Sequence, residues 1–96
     1  MTKGYWIVHV DVSDPKQYDA YRAVVSGPIT QFGGRFLVRA GVQIVMEGTA
    51  KPRPVVIEFP SFEAAQDCYN SPEYQTILQL RLQAAQADLV IAEGCD

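Results

Sequence analysis

The chain has 96 residues, of which 48% are hydrophobic and 20% charged, and its formal net charge is −3. This composition is that of an ordinary globular domain and excludes a disordered chain, which needs low hydrophobicity and high net charge. A chain of this length forms one domain, here residues 1–96, and its scattered basic residues form no cluster that would bind nucleic acid.

The first predicted element is a strand over residues 5–12, a segment of aromatic and β-branched residues. Its even positions are all apolar, whereas its odd positions become polar at His9 and Asp11. Since successive strand residues point to opposite faces, this alternation predicts one face packed on helices and a second, more polar face.

The same N-terminal segment argues against targeting to a membrane. One Lys precedes a short apolar run that His9 and Asp11 interrupt, whereas a secretion signal needs a longer apolar segment. No window approaches the roughly 20 apolar residues of a membrane-spanning helix. We therefore expect a cytoplasmic protein with no membrane partner.

A helix is predicted to follow directly, because Asp14 suits the N-cap and Pro15 the first helical position. Gln17 follows Asp14 at the spacing of a capping box. The Gly27-Pro28 pair should kink or restart this helix, and the two glycines at 33–34 should end it.

Two further strands are predicted in the middle of the chain. Residues 35–40 form the second strand, after which Gly41 predicts a bend or bulge. Residues 42–47 are expected to be extended again, and residues 48–52 to form a loop. Residues 54–59 form the third strand, which Pro60 ends.

The last predicted elements are a helix in two parts and a strand. Ser61 caps the first part, and residues 70–72 interrupt it. Ser71 caps a continuation from residue 72 to about residue 87. Residues 88–93 form the fourth strand.

The order β-α-β-β-α-β is that of the ferredoxin-like α+β fold, a four-stranded antiparallel sheet of order 4-1-3-2 with both helices on one face. The opposite face would expose Ile7, Leu37, Val56 and either Val90 or Ile91. A contiguous apolar patch of this kind marks an interface, so we expect a homodimer that packs these faces together.

Several short patterns occur in a specific order along the chain. They are Asp14-Pro15, Gly33-Gly34-Arg35-Phe36, Glu47-Gly48, residues 56–60, Tyr69-x-Ser71-Pro72-x-Tyr74, Arg81 and Glu93-Gly94. Together they resemble domain-of-unknown-function family 1330 (DUF1330), a branch of the dimeric α/β-barrel superfamily. The resemblance implies a ferredoxin-like protomer and a sheet-to-sheet dimer, and it implies no established activity.

One candidate site lies on the open face, where we place His9, Asp11, Arg39 and Glu58. Charges in the middle of a sheet are costly unless they are paired. In the structural interpretation, Arg39 and Glu58 form a salt bridge with His9 hydrogen-bonded nearby. In the functional interpretation, Arg39 binds a ligand carboxylate and His9 or Glu58 transfers a proton.

A second candidate group involves the last helix. Arg81 could line the mouth of a pocket between helix and sheet together with Tyr69, Ser71 and Tyr74. Alternatively, Arg81 reaches solvent or pairs at the helix end.

The cysteines offer no third site. Cys68, on an amphipathic helix, is expected to be a buried apolar residue rather than a nucleophile. Cys68 and Cys95 make a poor disulfide framework, and with a single His in the chain a structural zinc site is implausible.

No nucleotide-binding, metalloprotease or serine-nucleophile motif is present, and we expect no cofactor. Two hypotheses remain open. In the first, a homodimer binds a small organic acid or phenolic metabolite at the sheet face and could be a cofactor-independent enzyme of proton transfer or oxygenation, by analogy with barrel relatives. In the second, it is a non-catalytic binding or structural module whose polar cluster only sets the dimer register.

Overall fold

A computed structural model describes residues 2–96, which form one antiparallel sheet of four strands with helices against one face. The sheet order is β2-β3-β1-β4, which is the predicted order seen from the other edge. None of the helices within residues 2–96 has the length and apolarity needed to cross a membrane. The elements are β1 (Gly4–Val12), α1 (Pro15–Val24), α2 (Ser26–Gln31), β2 (Arg35–Arg39), β3 (Arg53–Phe59), α3 (Phe62–Asn70), α4 (Pro72–Leu82) and β4 (Ala85–Glu93).

Both predicted helices are divided in two, and side-chain caps begin three of the four parts, α1, α3 and α4. The Asp14 carboxylate accepts a hydrogen bond from the Gln17 backbone N–H at 3.1 Å, so α1 begins as predicted. The Ser71 hydroxyl accepts from the Tyr74 N–H at 3.2 Å and donates to the Cys68 carbonyl at 2.7 Å. One side chain therefore closes α3 and starts α4.

The last helix is shorter than predicted and the last strand longer. Helix α4 ends at Leu82 rather than near residue 87, and β4 begins at Ala85 rather than at residue 88. The Ala84 carbonyl accepts hydrogen bonds from the N–H groups of Ser13 and Asp14, at 2.8 and 3.0 Å. Strand pairing with β1 therefore overrides the helical preference of the alanines.

The central strands form the core on the face that packs against the helices. Trp6 is buried there, where its ring contacts those of Phe59 and Tyr74 and its indole N–H donates to the Ala65 carbonyl at 2.9 Å. The opposite face, which we call the open face, carries Ile7, Val38, Val56 and Val90 in paired register. Because Ile91 pairs with Trp6, it belongs to the helix side, and Val90 is the open-face residue.

A bulge in β2 places Arg39 on the face of the sheet opposite to the predicted one. The ladder with β3 runs from Phe36, opposite Ile57, to Val38, opposite Val56, and leaves Leu37 as an extra residue. One extra residue transfers everything that follows to the opposite face. Arg39 therefore lies on the helix side, and the prediction that it shares the open face was wrong.

The predicted salt bridge and the predicted extended segment are corrected as well. Glu58 pairs with Arg35, its neighbour across β2 and β3, with 3.0 Å between Nε and Oε1, rather than with Arg39. Residues 42–47 belong to no strand and form part of the loop between β2 and β3. The chain turns into this loop at Ala40, which has a positive φ of 59°, one residue before the predicted bend at Gly41.

We predict opposite effects for two glycine-to-alanine substitutions. A Cβ on Gly4 would lie 2.6 Å from the Phe62 Cα and would also clash with the Ser61 carbonyl, so Gly4→Ala should destabilise the protein by about 1–3 kcal/mol. Gly27, in α2, has open space around the same position, so Gly27→Ala should stabilise by about 0.4–1 kcal/mol. Urea unfolding of both variants measures this, and a Gly4→Ala protein as stable as wild type would contradict the packing.

Candidate functional site

A cavity lies between the sheet and the helices, on the opposite side of the sheet from the open face. Its volume of about 40 Å³ is room for about three water molecules. No Asp, Glu, His, Lys or Cys is among the described residues that line it. The lining consists of apolar side chains, two tyrosines and four arginines, namely Trp6, Val8, Val10, Tyr18, Tyr21, Arg22, Val25, Phe36, Arg39, Arg53, Val55, Ile57, Arg81 and Leu89.

Every arginine of the chain except Arg35 lines this cavity. Arg22 and Arg81 lie in the last turns of α1 and α4, where the negative end of the helix dipole favours a cation. Arg39 ends β2 and Arg53 begins β3. Four element ends therefore bring arginines to one cavity of a protein whose net charge is −3, and of these Arg22 also pairs with Asp19 on the surface of α1 at 3.5 Å.

Arg81 and Tyr21 form the deep end of the cavity, and the hydroxyl of Tyr74, which does not line it, contacts both. Arg81 is only 6% exposed and Tyr74 is fully buried. The Tyr21 and Tyr74 hydroxyl oxygens are 2.9 Å apart, and Arg81 Nη2 lies 3.5 Å from the Tyr74 hydroxyl. Arg81 takes part in none of the ion pairs within residues 2–96, that is, no carboxylate oxygen there lies within 4.0 Å of its guanidinium nitrogens. Its buried charge therefore faces hydroxyl groups and aromatic rings rather than a carboxylate.

The protonation states of this group suit an anionic partner. Burial raises the pKa of both Tyr21 and Tyr74, so both phenols keep their protons at neutral pH. Burial opposes the charge of Arg81, but the neighbouring Tyr74 and Tyr21 oxygens hold the Arg81 pKa above its usual value. The deep end of the cavity thus offers one positive charge and, when Tyr74 donates to Tyr21, the Tyr21 hydroxyl as a donor at the same place.

The other arginines lie nearer the mouth. The Arg53 Nε is buried and has no hydrogen-bond partner, and its guanidinium carbon lies 5.2 Å from the centre of the Tyr18 ring. Arg39 is exposed, with its guanidinium carbon 4.2 Å from the centre of the Phe36 ring. Arg39 Nη2 also donates to the Arg22 carbonyl at 3.3 Å, so this side chain bridges β2 and α1 across the mouth.

The remaining residues of the predicted open-face site do not form one cluster. His9 pairs with Pro54 and Asp88 across the sheet, and Asp11 is exposed near the end of β1. Glu58 lies opposite Tyr5, about 13 Å along β1 from His9 at the usual rise of a strand. The structure therefore separates His9 from Glu58, as the bulge in β2 separates both from Arg39.

Glu58 is instead part of a local network on the open face. Its carboxylate accepts hydrogen bonds from the Tyr5 hydroxyl and from Arg35 Nε, both at 3.0 Å. The Tyr5 hydrogen bond, followed by that of the Arg35 guanidinium, holds the Glu58 pKa below its usual value. A carboxylate held in its charged form in this way acts as an acceptor rather than as a proton donor.

The second predicted group is partly brought together. Tyr74 contacts Arg81, which lines the cavity, without lining the cavity itself, whereas the Ser71 hydroxyl is used by the caps of α3 and α4. Tyr69 is half-buried and packs on the rings of Trp6 and Tyr74, and it does not line the cavity. Because Arg81 is buried, it does not reach solvent at the helix end.

Four polar lining residues were not predicted as site residues. They are Tyr18 and Tyr21 of α1 and the arginines Arg22 and Arg53. A sequence signal existed, because each of the two arginines is next to an element boundary. What could not be predicted is that these boundaries converge on one cavity.

Cys68 and the acidic residues provide no second chemical centre. Cys68 is buried, its sulfur lies 3.6 Å from the Pro28 carbonyl, and burial raises its pKa to about 12. Both Cys68 and Cys95 are free. Across residues 2–96, no three His, Cys, Asp or Glu side chains are arranged to hold a metal ion.

Comparison with known proteins identifies a family. The family model described as "Domain of unknown function (DUF1330)" matches residues 3–95. No curated protein matches the sequence.

Solved structures with low sequence identity share the fold. A protein of unknown function from Rhodopseudomonas palustris has 16% identity and a TM-score of 0.76, over 99% of this chain and 84% of that chain. A dimeric protein of unknown function with a ferredoxin-like fold, from Bacteroides fragilis, has 11% identity and a TM-score of 0.62 over 95% of each chain. SnoaB, a cofactor-independent oxygenase from Streptomyces nogalater, has 9% identity and a TM-score of 0.57, over 100% of this chain and 96% of that chain.

We predict that the hydrogen bond between the Tyr74 and Tyr21 hydroxyls stabilises the protein. Tyr74→Phe leaves the buried Tyr21 hydroxyl without its partner, which should cost about 1–3 kcal/mol of unfolding free energy. Tyr69→Phe makes the same chemical change at a half-buried ring that packs on Tyr74 and should change stability by less than about 0.5 kcal/mol. Urea unfolding compares the two variants, and equal effects would show that the hydroxyl pair is not a stabilising contact.

Proposed function

The chain belongs to the DUF1330 family, and we propose that it is a homodimer that binds a small organic acid or phenolate in the cavity between sheet and helices. The observation that carries this proposal is Arg81, buried without a carboxylate partner in a cavity that three further arginines and no acidic residue line. A buried charge is costly unless it is paired, so this cavity is most stable when an anion occupies it.

The cavity geometry suggests how such a ligand would lie. A carboxylate or phenolate oxygen would accept hydrogen bonds from Arg81 and the Tyr21 hydroxyl at the deep end, and the unpartnered Arg53 Nε supplies a further donor. The small volume accommodates the anionic group and a few carbon atoms. The rest of a larger ligand would lie against the apolar walls toward Arg39 at the mouth.

This site favours binding over acid–base catalysis. No carboxylate or imidazole lines it among the described residues, the arginines donate hydrogen bonds without accepting a proton, and Tyr21 keeps its proton at neutral pH because burial raises its pKa. A cofactor-independent reaction in this cavity would therefore start from a ligand that arrives already ionised. That SnoaB is an oxygenase supports only the capacity of the fold for such chemistry. Proton transfer by His9 or Glu58 stays a prediction from the sequence.

The open face supports the homodimer. Ile7, Val38 and Val90 are exposed there and lie beside the network of Glu58 with Tyr5 and Arg35. A second copy would cover the apolar side chains, and the charged network would set the register between the two sheets. The Bacteroides fragilis neighbour is dimeric, which supports the same assembly here. Because the sheet separates this face from the cavity, each protomer would have its own ligand site.

We predict selective binding of anions, which the matched probes benzoate and benzyl alcohol can test by calorimetry and thermal shift. Benzoate at ten times its dissociation constant should stabilise the protein by about 1.4 kcal/mol, whereas the uncharged alcohol should have little effect. Arg81→Met and Arg53→Met should each weaken benzoate binding at least tenfold, since each removes a cationic donor.

Lys16→Met is the control, because it removes one positive charge from the exposed surface of α1. It should leave benzoate affinity within about twofold, because exposed charges are strongly screened. Equal binding of benzoate and benzyl alcohol, or unchanged affinity in Arg81→Met, would contradict an anion site. If no compound in a broader panel of carboxylates and phenols binds or shifts the melting temperature, the hypothesis of a non-catalytic structural module would be favoured.

We predict that an acidic substitution on the open face disrupts the dimer. Val90 and Val24 are similarly exposed, at 57% and 44%, but Val24 lies on α1, away from the open face. Val90→Asp should raise the dimer dissociation constant at least tenfold because two carboxylates would be brought into the interface, whereas Val24→Asp should not. Sedimentation measures both, and a wild-type protein that is monomeric at micromolar concentration would disprove the dimer.

A further inference from the structure

The loop between β2 and β3 exposes large apolar side chains. Val42 is 100% exposed, Ile44 79%, Val45 46% and Met46 83%. We call residues 41–51, which contain these four side chains, the arm. Single exposed apolar residues are common on protein surfaces, but four within five positions form a patch that needs a partner.

The arm is an ordered loop rather than a free chain. At its base, the Ala40 N–H donates to the Pro54 carbonyl at 2.7 Å and continues the pairing of β2 with β3. Gln43 Nε2 donates to the carbonyls of Lys51 and Pro52, at 2.9 and 3.2 Å, and so ties the outgoing chain to the returning chain. The apolar side chains are therefore presented on a closed loop, which reduces the entropy that docking would cost.

The base of the arm adjoins the open face. Lys51 Nζ lies 2.6 Å from Oδ2 of Asp88, and Asp88 is the open-face neighbour of His9. On β2, the open-face residue Val38 comes only three positions before the arm begins. The arm thus begins and ends at the edge of the face through which the proposed dimer forms.

The size of the open face indicates that the sheet alone is a small interface. Four strands about 4.8 Å apart, paired over about seven residues, present a projected area of about 450 Å². A stable complex buries about 800 Å² on each partner. The outline of the sheet face is therefore small for an interface, and the arm supplies further apolar surface at the edge of the same face.

We propose that the arm of each protomer docks on the second copy of the chain and extends the sheet-to-sheet interface. This inference rests on the proposed homodimer and names the segment that completes it. In a two-fold dimer the same contact forms twice, so each arm covers apolar surface of the partner while its own is covered. A lipid surface is disfavoured as the occupant, because the only basic residue of the arm, Lys51, already pairs with Asp88.

The test combines a triple arm variant with hydrogen exchange. Val42→Ser, Ile44→Ser and Met46→Ser together should raise the dimer dissociation constant at least a hundredfold in sedimentation. The control Val24→Ser with Leu82→Ser removes exposed apolar side chains from helices and should leave dimerisation unchanged. In the wild type, amides of residues 42–46 should be protected in the dimer and lose protection on dilution to monomer.

The outcomes separate this inference from the proposed function. A wild-type dimer whose arm variant dimerises equally well, with arm amides that exchange fast at every concentration, would overturn the docking of the arm and leave the dimer intact. A monomeric wild type would overturn both the dimer and the arm contact, while benzoate binding would still test the cavity. Co-sedimentation of the monomer with vesicles of anionic lipid would also overturn the proposal if the triple arm variant loses it. The occupant of the arm would then be a membrane.

Discussion

The guanidinium of Arg81, buried between two tyrosine hydroxyls without a carboxylate, is the interaction on which the proposed function depends. A charge in this position is unfavourable for the unliganded protein, since neutral hydroxyls compensate only part of its lost hydration. A protein under selection for stability alone would be expected to pair Arg81 or to replace it with an apolar residue. The arrangement is explained if the missing partner is the anionic group of a ligand.

The two faces of the sheet carry different ionisable groups. Residues of β1 alternate between Trp6, Val8 and Val10 on the cavity side and Ile7 and His9 on the open side. Acidic and imidazole groups are therefore kept away from the cavity by the pleat of the strands, and the cavity retains its positive character in an acidic protein. A ligand site and an interface can thus coexist in a small sheet without sharing side chains.

Much of the fold was predictable because its signals are local. Period-two alternation identified the first strand, β-branched and aromatic segments between Gly and Pro residues identified the others, and Asp14 and Ser71 identified helix starts through short-range hydrogen bonds. The position of Arg39 was not predictable, because the bulge at Leu37 depends on pairing with β3 and leaves no mark in the alternation. The cavity could not be predicted, because its four arginines come from distant parts of the chain. The apolar patch on the open face, with Val90, could be predicted from the periodicity of the strands.

The mouth of the cavity shows how a ligand larger than the present volume could enter. Arg39 covers the mouth through a stacking contact with Phe36 and one hydrogen bond to the Arg22 carbonyl, and its side chain is exposed. Exposed contacts of this kind contribute little stability, so the guanidinium can swing into solvent at small cost. Arg81 and Tyr74, by contrast, are held by burial and by the rings around them. A rigid deep end would therefore select the anionic group, while the mobile arginine at the mouth adapts to the rest of the ligand.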